Sequence, residues 1–106
     1  MALTFWHNPR CSTSRKALAL LEDRGLHPQI RRYLDDPPSR DELAALALPA
    51  KELIRWKDAP DLPRDLDDAA LLTHLAAHPR LIERPILIGP NGARIGRPPE
   101  AILGAI

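Results

Sequence analysis

Leu3-Thr4-Phe5-Trp6-His7-Asn8-Pro9-Arg10-Cys11-Ser12-Thr13-Ser14-Arg15 is the stretch on which the fold turns. Leu3 to Trp6 has the makeup of a short strand. His7-Asn8-Pro9-Arg10 is a turn, since Asn and Pro both favour one. From Ser12 the apolar residues fall at helical spacing. Ala17, Leu18 and Leu21 make a stripe with Leu20 at its edge, and Gly25 is a natural C-terminal stop. A strand that passes through a turn into a helix opens a strand–helix–strand unit.

Further along the chain, Gln29 to Leu34 supplies a second strand of poor alternation, and Asp35-Asp36-Pro37-Pro38 a turn. Ser39 with Glu42 three residues on is a capping box, which predicts a helix whose face carries Leu43, Leu46 and Leu48. Lys51 to Trp56 reads as another short helix, and Asp58 to Asp65 as an irregular loop. Asp67 caps a helix bearing Leu71, Leu72 and Leu75 that ends before Pro79. Pro85-Ile86-Leu87-Ile88 is the most strand-like run. Gly89-Pro90-Asn91-Gly92 makes it a hairpin, with Ala93 to Gly96 as the return strand. Pro98 and Pro99 suit the first turn of a final helix burying Ile102, Leu103 and Ile106. A strand–helix–strand unit beside an antiparallel hairpin, covered by helices, is an α/β pattern with the outline of the thioredoxin fold.

Composition narrows the functions. The 106 residues are 44% hydrophobic and 27% charged, enough for one domain with a core of its own. No run approaches the ~18 apolar residues of a membrane helix, and Met1 to Arg10 does not read as a secretory signal. The expected compartment is therefore the cytoplasm. A net charge of +1 gives no general reason to expect nucleic acid or a membrane as partner. The 12 prolines, roughly twice the average frequency, fall between periodic segments and punctuate them. The single cysteine cannot form an internal disulfide or, alone, a structural zinc site.

That cysteine stands where a strand ends and a helix begins. Unpaired N–H groups and the helix dipole favour a thiolate there and also make the place an anion site. His7, Arg10 and Arg15 lie near it in sequence. The plainer reading is a small buried core thiol. Arg55, Arg84 and Arg97 each stand at a segment boundary. A single arginine is most often a solvated surface residue, yet the planar guanidinium fork suits a tetrahedral oxyanion. Arg84–Pro85 is a candidate cis bond, or simply a strand-start proline. His74 and His78, four apart, suit a metal but better suit an ordinary helix C-terminus; Trp6 and Trp56 read as packing residues.

His7 to Arg15 resembles the active-site segment of glutaredoxin-linked arsenate reductases. Tyr33-Leu34-Asp35-Asp36-Pro37-Pro38, Leu53-Ile54-Arg55, His78-Pro79, Arg84-Pro85-Ile86 and Arg97-Pro98-Pro99-Glu100 follow in the same order. The resemblance spans nearly the whole chain. It implies one thioredoxin-like domain over residues 1–106, a mixed four-stranded sheet flanked by helices, with a helical region inserted at about 39–80. It makes Cys11 the nucleophile and has His7 help keep it ionised, with Ser14 in support. It has Arg55, Arg84 and Arg97 hold arsenate. It implies no bound cofactor, with glutathione as co-substrate and glutaredoxin as the partner that clears the mixed disulfide. The chain differs from longer family members in a shorter stretch between Leu46 and Asp68, and in Trp56-Lys57-Asp58 after Arg55. Both border the expected pocket.

Two other readings stand beside this one. A glutathione-linked thiol oxidoreductase of the same family would use the arginines for carboxylates. A regulator that docks on RNA polymerase would need a Cys-x-x-Cys switch, and the fourth position here is Ser14.

Overall fold

A computed structural model describes residues 2–106. Its strands are β1 (Thr4–Trp6), β2 (Gln29–Arg31), β3 (Ile86–Gly89) and β4 (Gly92–Ile95); its α-helices are α1 (Ser12–Asp23), α2 (Arg40–Ala45) and α3 (Asp68–Ala77). Short 3-10 helices cover Ala50–Glu52, Trp56–Asp58, Pro79–Leu81 and Pro99–Ala105. The sheet order is β2-β1-β3-β4. β1 pairs with β2 in parallel and with β3 antiparallel, with Phe5 opposite Ile30 on one side and Leu87 on the other. This is the expected α/β arrangement, a mixed four-stranded sheet flanked by helices.

Alternation along the strands splits the core in two. Leu3, Phe5 and Leu87 pack with Ala17, Leu21, Ile102 and Ala105, so α1 and the C-terminal 3-10 helix cover one face. Trp6 and Ile86 pack with Tyr33, Leu43, Leu53, Leu71 and Leu75, so α2 and α3 cover the other. Where the two layers meet the ends of β1 and β3, the chain has room for a site.

Local signals set most boundaries. α1 stops where Gly25 takes φ +73, and Gly25 N–H and Leu26 N–H bond back to the carbonyls of Glu22 and Leu21, 2.9 Å each. The capping box of α2 is complete: Ser39 Oγ accepts from Glu42 N–H, and Glu42 Oε1 accepts from Ser39 N–H. Asp67 Oδ1 caps α3 through Ala70 N–H at 2.8 Å. In the hairpin Gly92 carries the positive φ, because Pro90 is confined to negative values.

Four expectations change. α2 ends at Ala45, with Leu46 as its C-cap, so Leu48 lies beyond the helix whose face it was expected to share. The second strand ends at Arg31, not Leu34, because Asp35 and Asp36 N–H turn back onto Arg32 O. Lys51 to Trp56 is not one helix. Ile54 pairs with Ile82 across an isolated antiparallel bridge, Arg55 N–H bonds Leu81 O and Glu83 N–H bonds Leu53 O, so the segment splits into two 3-10 turns. The last helix is 3-10 rather than α. Its three-residue period buries Ile102 and Ala105 and leaves Leu103 and Ile106 half-buried. The Arg84–Pro85 bond is cis, and so is Arg97–Pro98. Among the described residues no helix is long and apolar enough to cross a membrane.

Candidate active site

The loop from His7 to Cys11 is closed by its own backbone. Asn8 Oδ1 accepts from Arg10 N–H and Asn8 O from Cys11 N–H, each at 3.0 Å, and Arg15 Nη1 donates to Pro9 O at 2.9 Å. These bonds deliver Cys11 to the N-cap of α1, half-exposed, with φ −91 and ψ 120. The sulfur makes no full capping hydrogen bond. Burial, the largest single influence, pushes the thiol up. The backbone amides of Ser14 and Thr13 and the charges of Arg97 and Arg84 together outweigh it, and the thiol sits below its ordinary value.

Arg97 meets the thiol, and ion pairs through Glu83 and Asp58 join Arg55 and Arg84 to Arg97. Arg97 Nη2 lies 3.7 Å from Cys11 Sγ, while its Nε donates to Arg84 O at 3.0 Å and lies 2.8 Å from Glu83 Oε1. Arg84 Nη1 is anchored by the carbonyls of Arg80 and Ile82 at 3.3 and 3.2 Å. Arg55 Nε is 3.0 Å from Asp58 Oδ2, out of line for a hydrogen bond, and its Nη1 is 3.6 Å from Glu83 Oε1. Asp58 also faces Arg84 Nη2 at 3.9 Å. Glu83 and Asp58 thus tie the cations together and leave the cluster positive by one charge before the thiol ionises. Such a cluster beside a helix N-terminus suits an anion, and the thiol of Cys11 stands against it.

His7 and Ser14 form the other side. His7 Nδ1 and Ser14 Oγ are 2.6 Å apart, and Ser14 Oγ also accepts from Asn8 N–H at 3.1 Å. Burial first, then the charges of Arg32 and Arg15, hold His7 below its ordinary value. It is therefore neutral near pH 7. Among the described residues no hydrogen bond joins His7 to Cys11; the link runs through Ser14, whose amide faces the sulfur.

All six candidate residues, His7, Cys11, Ser14, Arg55, Arg84 and Arg97, are linked in this one place through these bonds and ion pairs. Sequence reading marked Asp58 only as bordering the expected pocket and gave Glu83 no role. Both adjoin marked arginines, Asp58 at three residues from Arg55 and Glu83 beside Arg84, and that proximity is the available signal. Trp56 donates its indole N–H to Lys51 O and packs its ring on Arg64, 4.6 Å from the centroid. His74 and His78 stack on each other at 4.5 Å, and no metal-holding cluster of His, Cys, Asp or Glu occurs among the described residues.

A cavity of about 320 Å³ next to the Cys11 loop is lined by His7, Asn8, Arg10, Arg32, Leu34 and Asp35. A larger one of about 470 Å³, lined by Trp6, Arg31, Glu42 and Ala47, includes none of the site residues.

A family model described as ArsC family matches residues 6–105 of the chain. The chain is 42% identical to an arsenate reductase of Neisseria meningitidis, over 94% of each protein. It is 40% identical to an arsenate reductase of Rhizobium meliloti, over 97% of this chain and 80% of that one. Among solved structures it is similar to the arsenate reductase from Vibrio cholerae, at 40% identity and a TM-score of 0.88, covering 100% of this chain and 98% of the other.

Proposed function

The chain belongs to the ArsC family, and from that premise we propose that it reduces arsenate to arsenite through a Cys11 thiolate, with glutathione as co-substrate and glutaredoxin closing the cycle. The observation that carries this reading is the 3.7 Å contact of Arg97 Nη2 with Cys11 Sγ at a helix N-terminus, with Arg84 and Arg55 joined to Arg97 through its bond to Arg84 O and through Glu83.

Arsenate has the tetrahedral shape and charge of phosphate, so helix-end amides and guanidinium forks suit it. Arg55, Arg84 and Arg97 take its oxygens, and Asp58 and Glu83 give up part of their hold on them. The Cys11 thiolate attacks arsenic. An S–As bond forms, an As–O bond breaks, and the oxygen leaves as water with protons drawn from solvent. The arginines stabilise the charge on the remaining oxygens. His7 is a positioning residue that acts through Ser14.

Reduction needs a thiol that this chain does not supply. A glutathione thiolate attacks the Cys11 sulfur, an S–S bond forms, the S–As bond breaks, and its electron pair stays on arsenic, which departs as arsenite. The two electrons come from the two sulfurs, now joined as a mixed disulfide. Glutaredoxin removes the glutathionyl group by thiol–disulfide exchange and restores Cys11. The cycle needs no bound cofactor. The cytoplasm, where glutathione keeps thiols reduced, is the compartment it fits.

The test is arsenate-dependent NADPH oxidation by the purified protein with glutathione, glutaredoxin and glutathione reductase, beside Cys11→Ser. Turnover that disappears in the variant is the expected result. No turnover with any of several glutaredoxins, from a folded protein whose Cys11 alkylates, would sink the assignment.

A further inference from the structure

The loops that leave β1 and β2 together line the cavity of about 320 Å³ next to Cys11. β1 and β2 run parallel, so both loops stand at the carboxyl ends of their strands, where open α/β sheets take their ligands. Hydrogen bonds fix both walls. His7 N–H donates to Arg31 O at 2.8 Å and joins the first loop to β2, while Arg10 N–H donates to Asn8 Oδ1 at 3.0 Å. On the other wall Asp35 N–H and Asp36 N–H donate to Arg32 O at 3.0 and 2.9 Å. The cleft is thus formed in advance of a ligand, at the small end of the roughly 300–1,000 Å³ range of small-molecule sites.

Its walls carry charge that the fold does not use. Arg10 belongs to one wall, Arg32 and Asp35 to the other, and among the described residues no ion pair holds any of the three. Arg55, Arg84 and Arg97, by contrast, are each paired with Glu83 or Asp58, and none of them lines the cleft. The cleft is therefore a second place beside the nucleophile, apart from the oxyanion cluster. Two guanidiniums with one carboxylate complement a zwitterion that carries two carboxylates and one ammonium; a lone tetrahedral anion would meet the repulsion of Asp35. Leu34, a large apolar side chain that stays exposed, adds a patch for methylene groups.

We propose that this cleft is the glutathione subsite, with Arg10 and Arg32 on the two carboxylates of the tripeptide and Asp35 on its ammonium. The assignment rests on the arsenate-reductase reading above, which needs a thiol to reach Cys11 while the arginine cluster still holds arsenic. The cleft supplies that separate approach, because its wall leads directly into Cys11: Arg10 precedes it, and Asn8 O accepts Cys11 N–H at 3.0 Å. The thiolate of the bound tripeptide attacks the Cys11 sulfur, an S–S bond forms, and the S–As bond breaks with its electron pair left on arsenic.

The experiment compares wild type with Arg10→Ala, Arg32→Ala and Asp35→Asn, all at exposed positions. S-methylglutathione keeps both carboxylates and the ammonium but cannot react. It is titrated by calorimetry and as a protectant of Cys11 against iodoacetamide. Arsenate and inorganic phosphate are titrated as protectants beside it, and coupled turnover is measured. The expected result is S-methylglutathione binding about tenfold weaker in each variant, the scale of one charged hydrogen bond. Protection by arsenate and phosphate stays within about twofold of wild type, as for separate sites. No binding of S-methylglutathione by wild type, or wild-type affinity in both arginine variants, would overturn the proposal; arsenate turnover would then leave the reading it rests on intact. Equal weakening of arsenate and S-methylglutathione would mean one shared anion site and would overturn it too. Arsenate that neither protects wild-type Cys11 nor turns over, while S-methylglutathione binds and the variants lose it, would defeat the arsenate assignment and keep the cleft.

Discussion

Cys11 is held by partners within the segment 7–15, whereas Arg55, Arg84 and Arg97 are held by one another's segments. The loop bonds Asn8 to Arg10 and Cys11, Arg15 to Pro9, and His7 to Ser14. The arginines come from the ends of an isolated bridge, a cis proline and β4, and depend on Glu83, Asp58 and each other's carbonyls. The difference separates two properties. Nucleophilicity is largely local, set by the N-cap and the amides after it. Anion recognition, in the proposed function, is long-range, and it depends on carboxylates that keep like charges together.

The sharpest way to break that separation is Arg97→Lys, because Arg97 is the arginine whose guanidinium touches the sulfur. Lysine keeps the charge but loses the fork that spans Glu83, Arg84 O and the sulfur. A loss in kcat/KM on the order of a hundredfold is expected in the coupled assay. A loss under about threefold would show that charge alone suffices at this position.

Glu83→Gln tests the carboxylate tether, with a smaller effect. Removing the negative charge beside Arg55 and Arg97 leaves them freer for an oxyanion. Protection of Cys11 by inorganic phosphate should tighten by about fivefold, the scale of one near-surface charge interaction. Weaker protection would mean that Glu83 chiefly positions the guanidiniums.

The smallest expected effect is none. The alkylation rate of Cys11 should climb with pH through a midpoint below the ordinary 9.0 of a thiol, and Arg55→Lys should leave that midpoint in place. A clear rise in the variant would tie the nucleophile to the distant cluster. The same depressed ionisation has a linked sign in stability. Between the folded midpoint and 9.0 the unfolded chain binds more protons, so urea stability should rise with pH across that window, and Cys11→Ser should lack the rise.

How much was readable follows the same division. The β1–turn–α1 unit, the Ser39 capping box, the Asp67 cap and the hairpin at Pro90-Asn91 depend on neighbours a few residues away, and the sequence carries them openly. The splitting of 51–56 depends on Ile54 meeting Ile82, a pairing that no local spacing announces. Arg55, Arg84 and Arg97 stood out through family resemblance, since a lone arginine reads as solvated. The ion pairs of Glu83 and Asp58 stayed hidden because charged residues near turns are ordinarily surface residues.

The early end of β2 matters beyond the pocket. Sheet edges recruit foreign strands when they are long, flat and apolar. Here the outer edge is only Gln29–Arg31, with Arg31 tied to Glu42 and the charged, exposed Arg32 next in line. A passing chain finds few rungs and a pair of guanidiniums. The turn that sends Tyr33 inward also guards the β2 edge of the sheet against pairing with a foreign strand.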